Sequence, residues 1–107
     1  MFNLDGKRIL VTGATGGLGG EIARLFHSRG ALVALSGTRI EKLEALANEL
    51  GDRSYAIKCN LSDGDAVDKL PEEVNALLGG PVDILIANAG ITRDGLLMRM
   101  KQADWDL

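Results

Sequence analysis

Thr12-Gly13-Ala14-Thr15-Gly16-Gly17-Leu18-Gly19 is the stretch whose reading decides the fold. It follows an unbroken apolar run, Arg8 to Thr12 (RILVT), and opens a segment in which Leu18, Ile22, Leu25 and Phe26 recur at helical spacing. Of the chain's 14 glycines, five (Gly13, Gly16, Gly17, Gly19 and Gly20) lie within eight positions here. Glycine clustered between a strand and a helix marks backbone that must come close to something. Gly13 suits the tight turn out of the strand, Gly17 lets backbone N–H groups approach a pyrophosphate, and Gly19 lets the helix pack against the sheet. The helix start adds unpaired N–H donors and partial positive charge. Gly13, Thr15, Gly16, Gly17, Leu18 and Gly19 are therefore the candidate phosphate-binding set. A plain flexible turn is the bland alternative. A Walker-type loop is disfavoured, because no Gly-Lys-Ser/Thr follows.

Working outward, the same alternation repeats. Gly30 closes the first helix. Ala31 to Leu35 is a second strand, and Ile40, Leu43, Leu46, Ala47 and Leu50 mark a second helix stopped by Gly51. Ser54 to Cys59 reads as a third strand. Ser62 with Asp65 resembles a capping box ahead of a third stripe, Val67, Leu70, Val74, Leu77 and Leu78. Pro71 inside that stripe predicts a kink or a fresh helix start. Val82 to Ala87 is the fourth strand. Alternating β and α units with strands apolar throughout predict an α/β fold: a Rossmann-like, doubly wound parallel sheet. Right-handed crossovers give the strand order 3-2-1-4.

Dinucleotide sites often carry an acid at the end of the second strand, ~20 residues past the glycine loop, to hold the ribose 2′-hydroxyl. Thr38 occupies that place here and Arg39 follows it. A carboxylate would repel a 2′-phosphate, whereas a guanidinium can pair with it through two hydrogen bonds. The sequence leans towards NADP(H), with the clamp resting mostly on Arg39, since the glycine loop has no Lys or Arg. The alternative is that Arg39 merely begins the second helix and points into water.

Composition narrows the field further. The 107 residues carry 12 Lys+Arg against 15 Asp+Glu, a net charge of -3, with 46% hydrophobic and 25% charged residues. This is a globular composition of one domain's size, without the basic footprint of a nucleic-acid or membrane binder. One Cys and one His cannot build an internal disulfide or an ordinary zinc site. The start of the chain lacks a secretory pattern and no run is long enough to span a bilayer, so a cytoplasmic location is the expectation.

The residues now in view resemble the short-chain dehydrogenase/reductase family. Its TGxxxGxG pattern fits Thr12 to Gly19. The family's Asp or Asn with a following apolar residue, beside the adenine, matches Asn60-Leu61, and its NNAG matches Ala87-Asn88-Ala89-Gly90, with Ala87 replacing the first Asn. Each match ends a strand, the edge where open α/β sheets bind ligands. The resemblance adds Asn60, Leu61, Asn88, Ala89 and Gly90 to the cofactor-binding set. Within the family, Asn88 to Met100 (NAGITRDGLLMRM) with Asp104-Trp105-Asp106 looks like the branch that reduces 3-oxoacyl thioesters on acyl carrier protein in fatty-acid synthesis. It implies NADPH-dependent reduction to the 3-hydroxyacyl product, the acyl carrier protein as partner, and a homotetramer.

The family's catalytic Asn, Ser, Tyr and Lys have no counterparts here. Tyr55 and Lys58 stand at the wrong spacing, in a strand that points them to opposite faces. No catalytic residue is therefore assigned, and the chain is expected to be the N-terminal, dinucleotide-binding part (residues 1–107) of a longer single-domain enzyme, inactive alone. The sheet's remaining strands would then lie beyond it, since VDILIA is too apolar for an open edge. His27 reads as a surface or half-buried helix residue and Cys59 as a small buried one. Met98 and Met100 suit either an acyl entrance or subunit packing. Arg93, Arg99 and Lys101 form a loose basic group that an acidic carrier could use. Trp105 suits packing in the remaining half or at an interface. The rival functions are a non-catalytic nucleotide-binding or assembly module, a reductase of another ketone or alcohol, and a methyltransferase, which would keep an acid at Thr38.

Overall fold

The computed structural model describes residues 3–60 and 63–87. Four strands and three helices alternate: β1 Arg8–Thr12, α1 Gly17–Ser28, β2 Leu32–Gly37, α2 Ile40–Leu50, β3 Ser54–Lys58, α3 Gly64–Leu78 and β4 Ile84–Ala87. All neighbouring strands pair in parallel, in the order β3-β2-β1-β4. The expected order is the observed one.

The unbroken apolarity of the strands follows from cover on both faces. Ile9, Val11, Val33 and Leu35 meet Ala23, Leu43 and Leu46 in one layer, beneath α1 and α2. The intervening residues Leu10 and Ala34, with Ile57, meet Val67, Leu70, Val74 and Leu78 of α3 in the other. Successive strand side chains alternate faces, so each strand feeds both layers. The connections through α1 and α2 build the sheet outward from β1 to β3, and that through α3 returns to the other side of β1. The change of direction places a switch point between β1 and β4.

Some boundaries move. β2 extends to Gly37 because Ser36 pairs with Thr12 and Gly37 with Lys58. The β3 ladder ends at Lys58, although the Cys59 N–H still donates to the Gly37 carbonyl at 2.8 Å. The β4 ladder begins at Ile84, two residues after buried Val82.

The third helix corrects one expectation and removes one alternative of another. Its cap is Asp63, whose Oδ1 accepts from the N–H groups of Asp65 (3.1 Å) and Ala66 (3.4 Å). Ser62, the expected cap, lies outside the described residues, and Asp65 sits in the first turn as a dipole-favoured acid. Pro71 starts no new helix. It is buried within one helix of 15 residues, because the stripe Val67, Leu70, Val74 and Leu78 continues on both sides of it and holds the turn that the proline weakens. At the helix end, Arg8 Nε donates to the Leu78 carbonyl (2.9 Å) and Nη2 to that of Gly79 (3.2 Å), putting a cation on exposed carbonyls.

Candidate functional site

Parallel strands bring their carboxyl ends to one edge, and the candidate residues after β1, β2 and β3 gather there. Gly13 leaves β1 with φ +66°, the left-handed conformation a tight turn requires. The Ala14 N–H donates to the Ser36 carbonyl at 3.1 Å and ties the loop to β2. The Thr15 hydroxyl lies 3.8 Å from where a Cβ on Gly37 would stand, so the loop rests against the end of β2.

Gly16 is the N-cap of α1, and no side chain caps the helix there. The first helical bond runs from the Gly20 N–H to the Gly16 carbonyl at 2.9 Å. The amides of Gly17, Leu18 and Gly19 precede it at a helix start with no acidic residue in the first turn. The other helices differ: α2 has Glu41 in its first turn, and α3 has both the Asp63 cap and Asp65. Among the described helices, α1 alone begins with neither a capping side chain nor a carboxylate. That arrangement leaves donors and the positive end of the dipole for an anion. A Cβ on Gly17 would meet no protein atom within 4 Å, so the space beside these amides is open. Gly19 is buried on the opposite side of the helix start. The residues thus fit a diphosphate-bearing cofactor.

The β2 end presents Thr38 and Arg39, both exposed. Arg39 is the N-cap of α2, and its carbonyl accepts from the N–H groups of Lys42 and Leu43, each at 3.1 Å. Asn60 follows β3 at the same edge, exposed, with its carbonyl accepting from the Asp63 N–H at 3.0 Å. Leu61, Asn88, Ala89 and Gly90 lie outside the described residues, as do Met98, Met100, Arg93, Arg99, Lys101 and Trp105. Ala87, directly before the NAG stretch, ends β4 opposite Thr12. The Thr12 hydroxyl donates to the Ile86 carbonyl at 3.4 Å and pins the two strands at the switch point.

Beneath the glycine loop lies a crevice of ≈ 310 Å³ between α1 and α2. Thr15, Gly16 and Gly17 line it at the loop, with Lys42 and Arg24 among the helix residues. Arg24 Nε and Nη2 pair with Glu49 Oε2 and Oε1 at 2.6 and 3.1 Å. The hydrogen bonds and charge of Arg24 hold the Glu49 carboxyl below the usual carboxylate range. Lys42 carries no motif that marks it in the sequence. Its signal is the spacing Lys42, Ala45, Leu46, Glu49, which turns one face of α2 towards α1.

The remaining titratable groups offer no rival centre. Tyr55 packs against the α3 layer while Lys58 is exposed, so they do not cooperate. His27 is half-buried, with its Nε2 2.6 Å from the Asp52 carbonyl. Burial, assisted by the Glu73 and Asp63 carboxylates, pushes the Cys59 thiol up, away from a nucleophile. No group of three or more His, Cys, Asp or Glu that could hold a metal occurs among the described residues. No helix among them is long and apolar enough to cross a membrane.

A parallel sheet with this order, a glycine loop at an open helix start and a switch point beside it defines an α/β protein of the Rossmann type. The chain belongs to the short chain dehydrogenase family, whose profile matches residues 7–107. It is 58% identical over 106 residues to Nodulation protein G of Rhizobium sp. (strain N33), a match covering 99% of this chain and 43% of that protein. It is 47% identical over 107 residues to 3-oxoacyl-[acyl-carrier-protein] reductase FabG of Rickettsia bellii (strain RML369-C), covering 99% of this chain and 42% of that protein. The chain therefore spans less than half the length of these relatives. The crystal structure of a 3-ketoacyl-(acyl-carrier-protein) reductase from Brucella melitensis complexed with NADH superimposes with a TM-score of 0.73 at 35% identity. That match covers 78% of this chain and 34% of the other.

Proposed function

We propose that this chain is the cofactor-binding part of an NADP(H)-dependent short-chain oxidoreductase that reduces a 3-oxoacyl thioester, carried on acyl carrier protein, to the 3-hydroxyacyl product. The observation that carries the cofactor half of this reading is the helix start of α1, uncapped, free of acid and open above Gly17. The similarity to the Rickettsia bellii reductase supports the substrate half. In this reading Gly13, Thr15, Gly16, Gly17, Leu18 and Gly19 hold the diphosphate, and Thr38 and Arg39 receive the adenosine ribose and its phosphate. Asn60 and Leu61 flank the adenine, and Asn88, Ala89 and Gly90 serve the nicotinamide half. The bound nicotinamide supplies the hydride; this chain's residues bind and orient it and donate no proton. The acyl carrier protein, a homotetrameric assembly and a cytoplasmic setting belong to the same proposal.

A second reading has its own support, since the identity to Nodulation protein G exceeds that to the reductase. It keeps the oxidoreductase and assigns the protein a role in nodulation with a different substrate. One assay separates these readings: NADPH oxidation by the protein carrying this chain, with 3-oxoacyl thioesters on acyl carrier protein against simple ketones. Turnover of the carrier-bound thioester is the expected result. Turnover of other ketones alone overturns the substrate assignment, and dinucleotide binding with no turnover of any ketone identifies a non-catalytic module.

A further inference from the structure

The crevice between α1 and α2 carries cations on both walls, and they are not equivalent. Both helices start at the carboxyl edge of the sheet and run away from it, so depth in the crevice follows position along each helix. Gly17, Gly20 and Arg24 descend one wall; Lys42, Leu46 and Glu49 descend the other. Farther from the loop, Glu49 matches the charge of Arg24 with two hydrogen bonds. Nearer the loop, lining the same crevice as Thr15 and Gly16, stands Lys42 in the first turn of α2. Its ammonium has no carboxylate partner among the described residues. Glu41 is its sequence neighbour, but adjacent helix positions do not share a face. Gly16 and Gly17 line the crevice without side chains, and a Cβ on Gly17 would meet no protein atom within 4 Å.

An ammonium without a carboxylate partner, on a residue that lines the same crevice as a glycine loop, suits a phosphate dianion, which a compact point charge serves well. We propose that Lys42 is a specificity-determining residue for the cofactor, holding the 2′-phosphate of a phosphorylated dinucleotide from the crevice side. Arg39, three positions earlier, serves the same phosphate from the cap of α2. This inference rests on the reading of the glycine loop as a dinucleotide site and extends it. Arg24, already neutralised, takes no part in the discrimination.

The test is calorimetric binding of NADP⁺ and NAD⁺, which differ only by that phosphate, to the protein carrying this chain. The expected result for Lys42→Gln is a loss of roughly tenfold in NADP⁺ affinity, the scale of one charge-assisted contact, with a change under about twofold for NAD⁺. The variant's NADP⁺ affinity also falls less steeply with salt. Lys42→Arg restores the preference, and removing the neutral pair together (Arg24→Gln with Glu49→Gln) leaves the NADP⁺ to NAD⁺ ratio unchanged. Lys42 is exposed, so a thermal melt of Lys42→Gln matching the parent shows that folding is not the cause. Equal losses for both ligands, or none, overturn the role of Lys42 while leaving the loop assignment standing. Failure of the unaltered protein to bind either dinucleotide overturns both.

Discussion

At the residue scale, the glycines divide into those that shape the chain and those that leave room for something else. Gly30 is of the first kind. It sits at φ +98°, and a Cβ there would run into the Asp5 carboxylate. Gly30→Ala is expected to lower stability by roughly 1–3 kcal/mol, read by chemical denaturation. Gly17 is of the second kind, having open space where its Cβ would be. Gly17→Leu should leave the melting temperature within a few degrees of the parent while dinucleotide binding is lost; retained affinity would refute the loop assignment. Arg39 makes a similar case by charge. Arg39→Ala should weaken NADPH far more than NADH, and equal losses would show that the guanidinium is turned to solvent. The sequence alone distinguishes these roles only in part. Glycine at 17 reads as functional from its place after an apolar strand, but Lys42 looks like any solvated helix lysine. Only the packing of α2 against α1 shows that it lines the same crevice as the loop.

At the element scale, helix starts carry the contrast on which function depends. α3 is closed by Asp63, a structural cap, and Asp63→Ala should cost about 1 kcal/mol in an equilibrium unfolding experiment without changing cofactor affinity. α1 forgoes such a cap and loses that stability in exchange for free donors. Its alignment with α2 is assisted by the Arg24–Glu49 pair, whose side chains are about half exposed. Because Glu49 titrates below its unfolded range, the pair stabilises the fold fully above that range, and its contribution is lost as pH falls through the folded value. The gap in denaturation midpoint between the parent and Glu49→Gln should therefore be largest near neutrality and close under acid. High salt should narrow it as well, since the pair lies at the surface. Helical periodicity placed α2 and α3 on the chain because their apolar stripes are unambiguous. It misplaced the cap of α3 by one residue, since Ser62 and Asp63 are both good caps and letters cannot say which backbone turns first. Of the two outcomes that Pro71 allows, the fresh start does not occur, because the buried stripe continues on both sides of it.

At the scale of the whole molecule, strand order was legible because three physical rules act together: unbroken apolar strands, right-handed crossovers and short connections leave few ways to wind the chain. The edge where Gly13, Thr38 and Asn60 meet follows from that order. The identity of the phosphate clamp does not, since it depends on how two helices lean together. The same winding makes two cores that share only the sheet. Leu35 is fully buried in the α1–α2 layer and Leu70 is 1% exposed in the α3 layer, on opposite faces. Leu35→Ala and Leu70→Ala should each cost roughly 2–5 kcal/mol, the range for a leucine cavity in a packed core. The double variant should show the sum to within about 0.5 kcal/mol, because neither cavity can relax into the other across the strands. Both variants leave the amides at the start of α1 untouched, so each should retain cofactor affinity at temperatures below its own unfolding. A strongly non-additive double variant, measured by denaturant titration, would mean that the sheet transmits strain between its faces.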